Sequence, residues 1–287
     1  MDHTPLIVKA GSTCSLKDYD PDFTGSFGGK ADAEEKLAKD VSALEELQGM
    51  LYAQGSHSVL AIFQAMDAAG KDGVIKHVMS GVNPQGVQVT SFKTPSSTEL
   101  GHDYLWRHVC ALPRRGEIGI FNRSYYEEVL IVRVHSEFLA SQKLPEECVH
   151  SGIWKHRFED INNFERYLTR NGYIVLKFFL HVSKKEQKAR FLDRIDQKEK
   201  NWKFSAADLK ERARWDEYMK AYEEMIGETS TEWAPWYVIP ADHKWFTRVA
   251  VADVMVKKLR ELNLEYPKMS DDHRAELLTS RRELEAE

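Results

Sequence analysis

A candidate phosphate site lies in the stretch "VLAIFQAMDAAGKDGVIKHVM", residues 59–79. An apolar run ends in a turn of small residues that carries Asp67, and Gly70-Lys71 then opens a predicted helix. Glycine lets the backbone turn its N–H groups toward an anion, the helix N-terminus adds a positive dipole end, and the lysine can reach terminal phosphates. The stretch therefore predicts phosphate contacts from Ala68, Ala69, Gly70, Lys71, Asp72 and Gly73.

The loop departs from the usual phosphate-binding pattern at two positions. Ala65 stands where that pattern begins with Gly, and Asp72 stands where a Ser or Thr normally binds Mg²⁺. Asp67 and Asp72 can take over this task because a hard carboxylate suits Mg²⁺. The bare pattern leaves a second interpretation open, an ordinary strand–turn–helix that contains a lysine.

A second candidate segment is "GIFNRSYYEEVLIVRVH", in which a predicted strand ends at Asn122 and Arg123 follows. Glu127 comes five residues after Asn122. An arginine beside a phosphate site can neutralise the oxygens of a phosphoryl group in transfer. The alternative is that Arg123 and Glu127 form an ordinary surface pair, which contributes roughly 0–1 kcal/mol.

A third candidate segment, residues 184–214, holds eleven Lys and Arg against six Asp and Glu. Arg190, Arg194 and Lys198 are spaced four residues apart, so one helix would display them along one face. A break that contains Lys203 precedes a second predicted helix. This pattern predicts a mobile lid over phosphates, while a solvated helical face is the alternative.

The elements that must position these residues alternate between strand and helix. Five short runs rich in Val, Ile, Phe or Tyr predict buried strands at 58–65, 86–92, 116–122, 172–182 and 235–241. Helical segments are predicted at 31–54, 71–80, 97–111, 125–140, 152–171, 184–226 and 244–263, with a capping box formed by Ser96 and Glu99. This alternation predicts a parallel sheet covered on both faces, with ligands at the carboxyl ends of its strands.

The composition of the chain argues against several classes of protein. The 287 residues are 42% hydrophobic and 30% charged, as in a globular protein. A net charge of −5 argues against a nucleic-acid binder. Without a run of about 20 apolar residues or a recognisable signal peptide, we expect a cytoplasmic protein and no membrane partner. The three widely spaced cysteines predict neither disulfides nor structural zinc.

Taken together, five segments resemble the second family of polyphosphate kinases, which are P-loop phosphotransferases. The resemblance covers roughly residues 35–262. The matching segments are "QAMDAAGKDG", "SGVNPQGVQVTSFKTPS", "GEIGIFNRSYYEEVLIVRVH", "NWKFSAADLKERARWDEY" and "APWYVIPADHKWF". The resemblance implies a P-loop kinase-like three-layer α/β/α fold with a parallel five-stranded sheet and a helical lid. We accordingly divide the chain into an N-terminal arm at 1–30, one phosphotransferase domain at 31–265 with its lid at 184–226, and a charged tail at 266–287.

The resemblance also assigns roles to residues. Lys71 and Asp67 correspond to the lysine and turn aspartate of the family loop. Asn122 replaces the aspartate of the family's second motif, which most often begins Phe-Asp-Arg-Ser and stands here as "FNRS". Members with Asn there resemble a subgroup that phosphorylates nucleoside mono- and diphosphates and carries a glutamate where Glu127 stands. The implied catalytic residues are Asp67, Lys71, Asn122, Arg123 and Glu127. The implied nucleotide-binding residues are Lys93, Asn122, Arg123 and Glu127. The polyphosphate-binding residues would include Arg133, Arg190, Arg194, Lys198 and Lys203, and the metal ligands would be Asp67 and Asp72.

The function implied is reversible, Mg²⁺-dependent transfer of a terminal phosphoryl group from inorganic polyphosphate to adenine or guanine nucleotides, from AMP to ADP and from ADP to ATP. Mn²⁺ is expected to substitute for Mg²⁺, and the resemblance implies a homodimer or homotetramer. Two other functions stay open. One is an ATP-dependent nucleoside or nucleotide kinase on the same fold, and the other is a nucleotide-regulated binding module without turnover.

Overall fold

The central element is a five-stranded parallel sheet with the strand order β2-β3-β1-β4-β5, seen in a computed structural model that describes all 287 residues. The strands are β1 (Ser58–Gln64), β2 (Val87–Ser91), β3 (Ile118–Asn122), β4 (Tyr173–His181) and β5 (Trp236–Pro240). Every residue of β1 and of β5 is buried. Burial on both faces is typical of a parallel sheet and explains why these runs are almost wholly apolar. The predicted α/β fold is therefore confirmed, but the predicted burial of the strand at 86–92 is wrong for β2, which lies at the edge of the sheet and has no buried residue.

Twelve α-helices surround the sheet or extend from it. They are α1 (Lys30–Gln54), α2 (Lys71–Val78), α3 (Ser97–Leu100), α4 (Trp106–Val109), α5 (Ile131–Val134), α6 (Ser136–Ser141), α7 (Ile153–Arg170), α8 (Lys184–Asp196), α9 (Ala206–Ala213), α10 (Trp215–Thr229), α11 (Lys244–Arg260) and α12 (Asp271–Glu285). One group is formed by α1 and α2, which both pack against α11. A second group contains α7 and α10, which pack against each other, with α7 also against β4.

Two predicted helices are wrong in their extent. The predicted helix at 97–111 is divided into α3 and α4, and the one at 125–140 into a 3-10 turn (Tyr125–Val129), α5 and α6. The capping box that starts α3 is confirmed, since Ser96 and Glu99 exchange both hydrogen bonds. The division adds turns next to the sheet, where side chains can project toward a ligand.

The break predicted within the helical segment at 184–226 is confirmed as a 3-10 turn (Lys198–Lys203) that follows α8, while the predicted second helix is divided into α9 and α10. The reason is local, because Gln197 and Ser205 both have extended backbones, and the Ser205 hydroxyl caps α9. Lys198 consequently lies beyond the end of α8 and not on its face. Helix α10 buries Trp215 and Tyr222 in the hydrophobic core, so only the part of this segment before α10 is positioned like a lid.

The two ends of the chain differ in packing. In the first thirty residues Leu6, Val8 and Leu16 are buried, and Ile7 forms an antiparallel bridge with Tyr237 of β5. At the other end every residue of α12 is exposed. No helix is long and apolar enough to span a membrane. The division into arm, domain and tail stays a prediction.

Candidate active site

The phosphate loop joins the end of β1 to the first residue of α2, Lys71. Two loop residues have left-handed backbones, Ala68 at φ 63° and Gly70 at φ 109°. Glycine adopts this conformation freely, whereas for alanine it costs roughly 1–2 kcal/mol. The backbone N–H groups of Ala68 and of residues 70–73 donate to no group of the chain. Several donors are therefore available to an anion at the start of α2.

Lys71 lies at the first position of α2 and is buried. Its ammonium group donates to the carbonyl oxygen of Ala65 at 2.9 Å. Burial, followed by the nearby positive charge of Arg123, lowers the pKa of Lys71 to about 8. A positive charge held in a poorly solvated position is well suited to bind a phosphate oxygen.

The strand order brings the second motif to the loop. Because β3 pairs with β1, Asn122 lies beside Phe63, and the residues after each strand meet at one edge of the sheet. The Asn122 amide donates to the Asp72 carboxylate at 2.8 Å. Arg123 donates to the Asp67 carboxylate, also at 2.8 Å. The structure thus brings the predicted metal ligands into direct contact with the predicted catalytic strand end.

Arg123 stands between two carboxylates. Its terminal nitrogen that does not contact Asp67 lies 3.9 Å from Glu127, which accepts a hydrogen bond from the Gln64 amide at 3.0 Å. The Glu127 charge raises the pKa of Arg123 despite the burial of the guanidinium group. Like Ala68, Arg123 has a left-handed backbone, at φ 66°. Such strain at a non-glycine residue is typical of functional positions.

A cavity of about 330 Å³ opens beside Arg123 and Glu127. Lys93, a predicted nucleotide-binding residue, also lines it, whereas Asn122 does not. Its wall contains aromatic and polar residues that sequence reasoning missed: Phe92, Tyr104, Arg107, His108 and Gln142. An apolar cavity with a few converging polar groups is a typical small-molecule site.

Arg107 is the most informative of the missed residues. Its guanidinium group donates to the Lys93 carbonyl oxygen at 2.8 Å and lies 5.3 Å from the centre of the Phe92 ring. The signal was present in "DYLWRHV", where a basic residue stands among aromatic ones. The prediction of one continuous helix over 97–111 gave no reason to place Arg107 at a ligand site, whereas the structure divides this segment into α3 and α4.

The predicted polyphosphate-binding residues lie in different environments. Lys198 and Lys203 are exposed, and Arg194 lies 3.5 Å from the Asp208 carboxylate of α9. Arg133 pairs with Glu224 of α10 at 2.7 Å. The direct contacts of these residues with polyphosphate stay predictions.

Arg190 is placed differently from what the sequence pattern indicates. Its side chain is buried, and it donates to backbone carbonyl groups instead of facing solvent. The i, i+4 spacing placed it on the same face as Arg194, but spacing alone does not show which face of α8 packs against the loop.

Another residue that sequence reasoning missed is Asp208. Burial and the charge of Asp67 raise its pKa, so the lid brings a further carboxylate near the phosphate loop.

The available ligands fit a magnesium ion better than a softer metal. Asp67 and Asp72 offer carboxylate oxygens beside the loop N–H groups, and no group of three or more His, Cys, Asp or Glu is close enough to form a complete protein cage. Mg²⁺ is usually held by one or two carboxylates, with phosphate oxygens and water completing its shell.

A phosphate loop, a strand-end arginine and an adjoining cavity on a parallel sheet define an α/β phosphotransferase. The model of the family Polyphosphate kinase 2 (PPK2) matches residues 28–267, so the chain belongs to this family and is an enzyme of its phosphotransferase class. The resemblance stated from the sequence is confirmed.

Similar proteins agree with this membership. The ADP-polyphosphate phosphotransferase of Rhodopseudomonas palustris is 56% identical over 251 residues, 87% of this chain and 87% of its own. The AMP/ADP-polyphosphate phosphotransferase of Meiothermus ruber is 50% identical over 261 residues, 91% of this chain and 94% of its own. The crystal structure of polyphosphate kinase 2 from Arthrobacter aurescens TC1 superposes with a TM-score of 0.86 at 41% identity, covering 96% of this chain and 95% of that one.

Proposed function

We propose that this enzyme transfers the terminal phosphoryl group of inorganic polyphosphate to AMP and ADP, and that the reaction is reversible. The observation that carries the proposal is the position of Arg123. Its guanidinium group contacts Asp67 of the phosphate loop and lies 3.9 Å from Glu127 at the adjoining cavity. A donor phosphate on the loop and an acceptor phosphate in the cavity would therefore meet at this arginine.

The chemistry required of the protein is positioning and charge neutralisation. The free N–H groups of the loop would hold the donor chain, and Lys71 would contact its terminal phosphate. Arg123 would neutralise the transferring group, since Arg binds planar sets of phosphate oxygens in a bidentate way. The aromatic wall of the cavity would hold a purine, either adenine or guanine, and in-line transfer would need no covalent enzyme intermediate.

Asp67 and Asp72 would hold Mg²⁺, for which Mn²⁺ can substitute. The ion would supply charge neutralisation for the phosphate oxygens. Asn122 donates to Asp72, so in this chain the strand end orients one carboxylate of the pair instead of adding another.

An ATP-dependent nucleotide kinase is not favoured. The two relatives compared above are named for polyphosphate as a substrate, and the exposed cations Lys198 and Lys203 extend the positive surface beyond the loop. The proposal further includes a cytoplasmic homodimer or homotetramer with no nucleic-acid partner.

The test measures product formation from AMP, ADP and GDP, each given separately. The phosphoryl donor is either polyphosphate or ATP, and each reaction is run with and without Mg²⁺. We expect ADP from AMP and ATP from ADP with polyphosphate and Mg²⁺ only. Turnover with ATP but not polyphosphate would support the alternative kinase. Nucleotide binding without any product would instead indicate a binding module.

A further inference from the structure

Helix α8 contacts the phosphate loop through two buried side chains, Gln187 and Arg190. The Gln187 amide donates to the carbonyl oxygen of Asp67 at 2.9 Å. One terminal nitrogen of Arg190 donates to the carbonyl oxygens of Ala68, at 3.0 Å, and Ala69, at 2.7 Å. Three consecutive loop carbonyl groups therefore point at α8.

These contacts fix the direction of the loop N–H groups. In a planar trans peptide the carbonyl group and the following N–H group point in opposite directions. Holding the carbonyls of residues 67–69 against α8 thus turns the following N–H groups away from it. Of these, the N–H groups of Ala68 and Gly70 have no partner in the chain, as a phosphate-binding turn requires.

The remaining donors of Arg190 are also engaged. Its other terminal nitrogen donates to the carbonyl oxygens of Ala241 and Asp242, which follow β5, and its Nε donates to the Glu186 carboxylate at 2.8 Å. A guanidinium group has five N–H donors in a fixed fork. Five acceptors surround this one, so none of its donors is left for a phosphate oxygen.

We propose that Arg190, assisted by Gln187, is a positioning residue that holds the phosphate loop in its anion-binding conformation by joining it to the turn after β5. This inference rests on the proposed function, because it assigns the loop to polyphosphate. It also explains how the left-handed backbone of Ala68 is maintained in the free protein. Gln187 is itself held in place, since Arg212 of α9 donates to its amide oxygen at 2.8 Å.

The test compares Arg190→Lys and Gln187→Leu with Lys188→Met, an exposed position on the same helix. Lysine keeps the positive charge but cannot supply the five-donor fork. For a positioning residue, Arg190→Lys should lower kcat about tenfold or more, while the KM for polyphosphate and its salt dependence change less than twofold. Gln187→Leu should have a smaller effect of the same kind, and Lys188→Met should have none.

A second measurement does not depend on turnover. Hydrogen exchange in the free protein should quicken at the amides of Ala69 and Val74, which donate to Met66 and Gly70. Quicker exchange in both Arg190→Lys and Gln187→Leu supports the inference even if wild-type protein shows no polyphosphate turnover, which would count against the proposed function alone. Unchanged exchange, or a raised KM at normal kcat, would overturn it in favour of direct phosphate binding. If Arg190→Lys does not fold, Gln187→Leu decides by the same two measurements.

Discussion

The Lys71 ammonium group is buried with one carbonyl oxygen as its partner, so it is poorly solvated until an anion binds. Asp67 is already paired with Arg123 and lies beside the same loop. Both residues are therefore expected to exert their electrostatic effect only when the phosphate groups of the substrates, or a metal ion bound with them, are present. Their roles are tested most directly by removing each side chain.

We expect Lys71→Met and Asp67→Ala each to lower kcat/KM for polyphosphate about 100-fold or more, since one electrostatic stabiliser in a closed site is typically worth about 3–4 kcal/mol. Lys71→Met should leave the free protein at least as stable at pH 7, because it removes a buried charge. The control is Lys76→Ala, an exposed lysine on α2. Near-normal rates in a folded Lys71→Met variant would remove this lysine from the mechanism.

The lowered pKa of Lys71 predicts a pH dependence. The ammonium form binds phosphate, so kcat/KM for polyphosphate should fall as pH rises through about 8, the pKa in the free enzyme. A bound phosphate stabilises the positive charge, so kcat should stay level to a higher pH. The Lys71→Arg variant keeps its positive charge across this pH range. Whatever the magnitude of its kcat/KM, that value should therefore not fall as the pH rises through about 8. A flat wild-type profile between pH 7 and 9 would contradict the assignment.

Glu127 and Asn122 are expected to set the choice of acceptor. Glu127 lines the cavity and is held by Gln64, whereas Asn122 lies outside it against Asp72. Glu127→Gln should therefore depress AMP phosphorylation more than ADP phosphorylation. Asn122→Asp would place two carboxylates in contact, and a cation relieves their repulsion, so the change should shift the acceptor preference and lower the Mg²⁺ concentration needed. The measurement is kcat/KM for AMP and ADP at saturating polyphosphate. If their ratio stays within about twofold, roughly 0.4 kcal/mol, neither residue sets the choice.

At the scale of elements, α8 combines two tasks. Its buried face, through Gln187 and Arg190, holds the phosphate loop, and its end leads into the exposed cations of the following turn. Arg194 lies between these regions and pairs with Asp208 at 3.5 Å. A polyanion that approaches the lid would compete with Asp208 for this arginine.

Neutralising Arg194, Lys198 and Lys203 together should raise the KM for polyphosphate more than the KM for the nucleotide, with kcat little changed. Added salt should produce the same selective effect in the wild type, because screening weakens exposed phosphate contacts. Lys188→Ala on α8 serves as the control for loss of one exposed charge. Equal effects on both substrates would instead support a solvated face without a binding role.

In the molecule as a whole, a buried ion pair links the sheet to the 3-10 turn (Tyr125–Val129) that contains Glu127. Lys177 of β4 and Glu165 of α7 are both fully buried and lie 2.6 Å apart. Glu165 also accepts hydrogen bonds from the hydroxyl groups of Tyr125 and Tyr126, which precede Glu127. Burial lowers the pKa of Lys177, so its charge depends on its partner.

Removing one member of this pair should cost more than removing both. Glu165→Gln should lower the free energy of unfolding by about 3–5 kcal/mol, because it leaves Lys177 buried without a counter-charge. Addition of Lys177→Met should restore a large part of that loss. Urea denaturation measures both changes, and Glu35→Gln, in an exposed pair with Lys39, should have no measurable effect. A double variant no more stable than Glu165→Gln would contradict this account.

The residue pattern along the chain was enough to predict the strands and to identify the candidate phosphate-binding residues. Five runs rich in Val, Ile, Phe or Tyr predicted a sheet, and Asp67, Lys71 and Arg123 each follow the end of such a run, so their meeting at one edge followed from parallel pairing. The capping box of α3 could also be read directly, since it depends on residues three positions apart.

The partner of each polar group could not be predicted in this way, because it depends on how the elements pack against one another. Charge and spacing predicted polyphosphate binding for both Arg190 and Arg194. In the structure Arg190 faces backbone carbonyl groups, whereas Arg194 faces Asp208. Arg107 reached the cavity because the predicted helix over 97–111 is broken. The same explanation holds for each of these arginines. The position of a residue in the helical repeat fixes the direction of its side chain on its own helix, but the partner of that side chain belongs to another element. That element's position is set by long-range packing, which local sequence does not encode.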